Sequence, residues 1–343
     1  MTEKTWNVAV VGAAGMVGTE MIRTLEQRRF PVAELRPLDV AGVAGTTVRF
    51  GGRDCACLEA TEANFAGIDI AIFSAGGEAS LDLAPKAVRQ GAVVIDNSSA
   101  WRMDPACPLV VPEVNPHDLA WHQGIIANPN CSTIQMVVAL KPIHDRATIR
   151  RVVVSTYQAA AGAGRNGLDE LMRQAREILD HGACGAPRTF QHQLAFNLIP
   201  QIDVFQDGGY TKEEWKMVHE TVKIMGDPRI RVTATTVRVP VLIGHSESVN
   251  IETERKLTAD QARAILAAAP GVKVVDDPAA RAYPMPAPTA HTDDVFVGRI
   301  REDNSIERGL NLWIVADNVR KGAALNAVQI AEHLAANGLV RVP

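Results

Sequence analysis

The period of the hydrophobic positions changes several times along this 343-residue chain, and each change predicts an element. "WNVAVVGAAGMVGTEMIRTLEQR" opens with a continuous apolar run, turns through glycines, and then takes helical spacing at Val17, Met21, Ile22 and Leu25. That succession predicts a buried strand, a tight loop and a helix with one apolar face. Short apolar runs recur at "IDIAIFSAGG" and "GAVVIDNSS", and "SLDLAPKAVRQ" between them reads as helix. Strands alternating with helices predict a parallel, doubly wound sheet over about the first 130 residues.

Beyond that point the texture changes. "RRVVVSTYQ", "RIRVTATTVRVPV" and "SESVNIETER" are β-branched and partly alternating, as strands of a mixed or antiparallel sheet are. Two helices between them are announced by capping-box spacing, Thr211 with Glu214 and Thr258 with Gln261. "DDVFVGRIREDNSIERGLNLWIVADN" predicts two strands around a polar turn, and "KGAALNAVQIAEHLAANG" a last helix ended by Gly338. The expected fold is α/β: a Rossmann-like dinucleotide-binding domain over 1–130, completed by a C-terminal helix at 319–343. An α+β domain with a mixed sheet is expected over 131–318.

Composition narrows the classes of partner. A formal net charge of −4 without a basic block argues against nucleic acid or an anionic membrane surface. No apolar stretch reaches the roughly 18–20 residues that span a bilayer, and "MTEKTWNVAV" lacks the zones of a signal peptide. Five scattered cysteines, with no CxxC pair or zinc spacing, predict free thiols, a reducing cytoplasm and no metal site.

Against that background a few residues carry candidate chemistry. Gly12, Gly15 and Gly18 sit between strand and helix, where backbone amides bind a pyrophosphate; a plain tight turn is the alternative. Asp39, 21 positions after Gly18, is either a ribose-hydroxyl acceptor or a solvated loop residue. Cys131, in "NPNCSTIQ", precedes a run that reads as helix from Ser132 or Thr133. A thiol there faces unpaired amides and the positive end of a dipole, whereas free cysteines elsewhere are commonly small buried hydrophobes. His245, in "VLIGHSESV", is a structural histidine or the acid/base partner that a cysteine nucleophile needs. Glu213 and Lys216 share a helix face and form either a surface ion pair or part of a site. Arg102 and Arg238 stand beside apolar residues, and Arg238, within a β-branched strand, calls for a partner or an anion.

Taken in order, "VVGAAGMVG", "IDNSSAWRMDP", "VPEVN", "NPNCSTIQ", "VSTYQAAAGAG", "AFNLIPQIDVF", "GYTKEEWK", "RVPVLIGHSESVN" and "VADNVRKGAALNAVQIAEHL" resemble the bacterial type of aspartate-β-semialdehyde dehydrogenase, nearly end to end. The resemblance implies a phosphorylating aldehyde dehydrogenase of the aspartate pathway to lysine, methionine and threonine. It would interconvert L-4-aspartyl phosphate and L-aspartate 4-semialdehyde through a Cys131 thioester, with 131–318 as the catalytic and dimerisation domain of a homodimer. It implies His245 as acid/base, Gln158 orienting the substrate, Arg238 on its carboxylate, Glu213 on its amino group, and Arg102 with Lys216 on phosphate. Gly12, Ala14, Gly15, Met16, Val17, Asp39, Ser74, Gly76, Asn97 and Asn318 would contact the cofactor, which is NADP by family default.

Two departures bear on these expectations. Gly42 and Val43 stand where the family commonly carries the Arg and Ser that hold the 2′-phosphate of NADP, and Asp39 nearby would repel it. NAD or dual use is therefore expected as well. Ala161 replaces a usual serine in "QAAAGAG". The competing readings are a sibling enzyme and a non-catalytic paralogue. Siblings include an N-acetyl-glutamyl-phosphate reductase or an acyl-CoA-linked semialdehyde dehydrogenase using NAD.

Overall fold

The computed structural model describes residues 4–342, which form two compact units. One runs to Asn130 and takes up the chain again from Ala323; the other is Cys131–Gly322.

The first unit contains, in order, β1 (Trp6–Val11), α1 (Met16–Gln27), β2 (Val32–Asp39), a hairpin of β3 (Thr47–Phe50) and β4 (Arg53–Ala56), and β5 (Leu58–Glu59). There follow β6 (Ile70–Phe73), α2 (Gly77–Arg89), β7 (Val93–Asp96) and β8 (Ile125–Ala127). Apart from the hairpin, its strands make one six-stranded parallel sheet in the order β5-β2-β1-β6-β7-β8. The continuous apolar run of β1 follows from its place in the middle. Val8 and Val10 face Met21, Ile22 and Leu25 of α1 together with Ile330 and Leu334 of the C-terminal helix Leu325–Ala336. Ala9 and Val11 face the other way, into a cluster with Phe73, Ala84 and Ala87. The chain leaves β1 to one side for β2 and returns on its other side as β6. The carboxyl end of β1 is thus the switch point at which such sheets bind ligands.

The glycine loop occupies that point. Gly12 has φ +80, and a Cβ on it would lie 2.5 Å from the Ser74 carbonyl oxygen. A Cβ on Gly18 would lie 2.1 Å from the Gly12 carbonyl oxygen. Both glycines are required by close packing of the turn itself.

In the second unit α3 (Cys131–Ala147) leads into β9 (Ile149–Gln158), followed by α4 (Gly164–His181) and α5 (Lys212–Met225). Then come β10 (Arg231–Arg238), β11 (His245–Thr253), α6 (Ala259–Ala267), β12 (Val272–Val274), β13 (Val295–Asp303) and β14 (Gly309–Ala316). The sheet order is β10-β9-β11-β14-β13-β12, with parallel pairs at both ends and antiparallel pairs between. Both expected capping boxes form, at Thr211 with Glu214 and at Thr258 with Gln261. Burial alternates along the central strands. Val152, Val154, Thr156 and Gln158 of β9 are buried, as are Glu247, Val249 and Ile251 of β11. Tyr157 and Ser248 lie on the opposite, open face.

Two helix boundaries differ from expectation. The helix after "NPN" begins at Cys131 itself, not at Ser132 or Thr133. The last helix is α-helical only from Leu325, because Arg320–Ala324 is a π turn. Asp317 shapes that turn: its Oδ1 accepts the N–H groups of Val319 and Arg320, and its carbonyl accepts the Gly322 N–H at 3.0 Å.

Candidate active site

Cys131, the first residue of α3, has its Sγ 3.2 Å from Nε2 of His245, the first residue of β11. The helix start sets the positive end of its dipole beside this thiol, which favours the thiolate. The approach of the surrounding chain is tight. A Cβ on Gly322 would come 2.8 Å from Cys131 Cβ, so the π turn at 320–324 needs glycine at that position.

His245 is fully buried, and the backbone N–H of Ala159 donates to its Nδ1 at 3.0 Å. A ring nitrogen that accepts carries no proton, so the neutral ring carries its proton on Nε2. That proton points at the sulfur. The 3.4 Å approach of Gln158 Nε2 to the same ring nitrogen sets two donors side by side, and we read it as proximity rather than a hydrogen bond. Burial, reinforced by the charge of Arg238, pulls the His245 pKa down to about 3, outweighing the opposite pull of Glu213.

Gln158, at the end of β9, is locked at both ends. Its Oε1 accepts from Thr156 Oγ1, and its Nε2 donates to Glu213 Oε1, each at 3.1 Å. Glu213 is buried in the first turn of α5 and also accepts from Lys216 Nζ at 2.9 Å. Lys216 reaches Asp203 as well, at 3.0 Å. Burial works against the Lys216 charge, but Glu213 and Asp203 together hold its pKa above the ordinary lysine value. The ion pair is therefore not a solvated surface pair. Asp203 was not anticipated; its signal was its place in the "IPQIDVF" segment, whose geometry no spacing rule reveals.

Arg238, at the end of β10, is buried to 7% exposure and lies over the Phe190 ring at 6.0 Å. One guanidinium nitrogen donates to the Ala159 carbonyl at 2.7 Å. Among the described residues no carboxylate forms an ion pair with it. Burial lowers its pKa, against the pull of Glu213 and Cys131. A buried cation with donors to spare is suited to a ligand carboxylate. Cys131, His245, Gln158, Glu213, Lys216 and Arg238 thus form one connected group. Asn318 is joined to it indirectly: its Oδ1 accepts the Gly244 N–H at 2.9 Å, fixing the residue before His245. Ala161 is buried, and its N–H donates to the Leu242 carbonyl at 3.0 Å.

In the first unit, Arg102 is buried and donates to the carbonyls of Asn128 and Asn97. Asn97 donates to the Phe73 carbonyl and accepts from Asn128, so its side chain is tied into the end of the sheet. Ser74 and Gly76 lie on the turn between β6 and α2, with Gly76 at the helix N-cap. The residues present suit a dinucleotide. Gly15 is the N-cap of α1, no side chain caps that end, and no acidic residue stands in its first turn. Met16 and Val17 therefore offer first-turn backbone to an anion, while the Ala14 N–H is already taken by Asp39. Asp39 Oδ2 accepts the Ala14 N–H at 3.0 Å and Oδ1 the Val40 N–H at 2.9 Å, which sets its carboxylate beside this loop. Gly42 is exposed, with nothing within 4 Å of where its Cβ would stand.

No helix among the described residues is long and apolar enough to cross a membrane. Among the described residues, no group of three or more His, Cys, Asp or Glu side chains is arranged to hold a metal ion.

Both parts of the chain match known proteins. Residues 7–122 match the family model "Semialdehyde dehydrogenase, NAD binding domain", and residues 140–321 match "Semialdehyde dehydrogenase, dimerisation domain". The aspartate-semialdehyde dehydrogenase of Aquifex aeolicus is 54% identical over 338 residues, covering 98% of this chain and 99% of the relative. The crystal structure of aspartate semialdehyde dehydrogenase II from Vibrio cholerae superposes with a TM-score of 0.95 at 50% identity, covering 97% of this chain and 99% of that one. The same Vibrio enzyme complexed with ASA gives a TM-score of 0.95 at 49% identity, with the same coverage. This chain belongs to the aspartate-semialdehyde dehydrogenase family.

Proposed function

We propose that this chain catalyses the reversible, phosphate-dependent conversion of L-aspartate 4-semialdehyde to L-4-aspartyl phosphate, with Cys131 as nucleophile. The observation that carries this reading is the unpaired, buried Arg238 beside the Cys131–His245 pair, with Glu213 across the same group. A substrate with a carboxylate and an ammonium finds a cation and an anion there, and its reacting carbonyl meets the thiol.

In the biosynthetic direction the Cys131 thiolate attacks the acyl phosphate, the C–O bond to phosphate breaks, and a thioester remains. The Nε2 proton of His245 serves the sulfur before attack and the oxyanion afterwards, as a donor in a water-poor site. When bound, a nicotinamide cofactor supplies hydride in this direction and accepts it in the other. Gln158, held by Thr156 and Glu213, orients the acyl group. Lys216 and Arg102 are assigned to phosphate on the resemblance, and Asn318 to the nicotinamide end. A free ammonium explains the buried Glu213, which an N-acetylated substrate would not need.

For the cofactor, we infer weakened discrimination in favour of NADP, with NAD or both used. Asp39 beside the loop and the bare Gly42 support this, since a 2′-phosphate would meet a carboxylate and no arginine there. A homodimer through the second unit is supported by the open face of its sheet and by the description of the matching family model.

The test is cofactor reduction with L-aspartate 4-semialdehyde, with and without phosphate, using NAD and NADP in turn. Phosphate-dependent turnover is expected with both. No turnover with either overturns the activity, and a hundredfold preference for NADP in kcat/KM overturns the cofactor reading.

A further inference from the structure

Glu247 lies two residues beyond His245 on the same face of β11 and is completely buried. In register it faces Thr156 of β9 and Ile314 of β14. Neither of its carboxyl oxygens has a hydrogen-bond partner. Burial pushes its pKa well up, with the Gln135 amide as the one polar group that opposes the shift. No hydrogen bond of normal geometry joins Glu247 to Gln135 as they stand.

Gln135 is equally buried, one helical turn after Cys131 on the same face of α3. Its Nε2 reaches the His245 carbonyl oxygen at 3.4 Å, while its Oε1 has no partner. The two residues therefore leave complementary needs. A neutral carboxylic acid has one O–H to donate, and Gln135 Oε1 is an acceptor without a donor. Buried polar groups without partners are rare enough that two adjacent ones need an explanation.

We propose that Glu247 is a positioning residue: as a neutral acid it donates to Gln135, and the pair braces the Cys131 turn of α3 against the His245 end of β11. The brace touches neither substrate nor cofactor. It fixes the separation of sulfur and imidazole, with Gln135 anchored on the His245 carbonyl. It carries no charge, so an amide at 247 can replace the acid whereas an apolar side chain cannot. The proposal rests on Cys131 and His245 being the reacting pair.

The experiment compares Glu247→Gln, Glu247→Leu, Gln135→Met and the double variant Glu247→Leu/Gln135→Met in the full-length protein. Each is assayed for kcat, for KM of L-aspartate 4-semialdehyde, and for the rate of Cys131 alkylation by iodoacetamide. Glu247→Gln should keep kcat within about threefold, while Glu247→Leu loses about tenfold or more with little change in KM. The alkylation rate should shift in parallel, and the double variant should be no worse than the worse single one. If Glu247→Leu does not fold, Gln135→Met carries the same comparison. Infrared difference spectra of wild type against Glu247→Gln should show the loss of a protonated carboxyl band. Wild-type kcat in Glu247→Leu or, where that variant does not fold, in Gln135→Met overturns the brace. So does a Glu247→Gln variant as impaired as Glu247→Leu, or the absence of the infrared band. Full activity in Cys131→Ala would instead overturn the reading on which the proposal rests.

Discussion

The backbone N–H of Ala159 donates to Nδ1 of His245 at 3.0 Å, and this bond decides which ring nitrogen carries the proton. Protonating Nδ1 would set two donors against each other in a fully buried site that already disfavours imidazolium. His245 therefore rests neutral, with Nε2–H on the sulfur.

Folding stability should register this. The folded pKa of about 3 lies below the ordinary value near 6.5, so between those limits the unfolded chain binds the extra proton. The His245 contribution is complete above about pH 6.5 and is lost as pH falls toward 3. Denaturant unfolding at a series of pH values should show a steeper acid decline in wild type than in His245→Gln, by a few kcal/mol at most. Parallel curves would contradict it. The same variant should lose about 10²–10⁴-fold in kcat.

Arg238→Lys keeps the charge but loses the planar fork that serves Ala159 and, on the proposed mechanism, a substrate carboxylate. KM for the semialdehyde should rise about tenfold or more, and kcat/KM should fall with it, while thermal unfolding changes little. An unchanged KM in steady-state kinetics would remove Arg238 from the substrate site.

Gly322→Ala places a methyl 2.8 Å from Cys131 Cβ, so one of the two must move. Overpacking of this kind costs about 1–3 kcal/mol. Here kcat should fall about tenfold or more, because the displaced atom carries the proposed nucleophile. Wild-type kcat with unaltered alkylation of Cys131 would show that the turn yields instead.

Asp39→Ser removes the carboxylate next to the loop amides. The NADP/NAD ratio of kcat/KM should rise about tenfold, since a like charge facing the 2′-phosphate is gone. An unchanged ratio would mean that Asp39 does not sense that phosphate.

The parallel sheet was legible because β1, β6 and β7 are short apolar runs buried on both faces, a pattern read without tertiary information. The capping boxes of α5 and α6 were legible because their partners lie three residues apart. The grouping of Cys131 with Gln158, Glu213, Arg238 and His245 was not readable from spacing, because these residues come together only through sheet pairing and helix packing. Resemblance supplied their expected roles. Asp203, Gly322 and the Ala159 amide went unnoticed for a related reason. Their importance lies in a backbone atom, a missing Cβ or a loop carboxylate, none of which has a sequence period. Glu247 lies in a partly alternating strand where nothing in the spacing marks it, and only its burial without a partner sets it apart.

On the proposed mechanism, Cys131 carries the acyl group. The direct measurement is mass spectrometry of enzyme quenched in acid after mixing with L-aspartate 4-semialdehyde and oxidised cofactor, without phosphate. One aspartyl adduct on the peptide containing Cys131, absent in Cys131→Ala and discharged by phosphate, is the predicted result. Turnover that persists in Cys131→Ala, or an adduct on another residue, would contradict it.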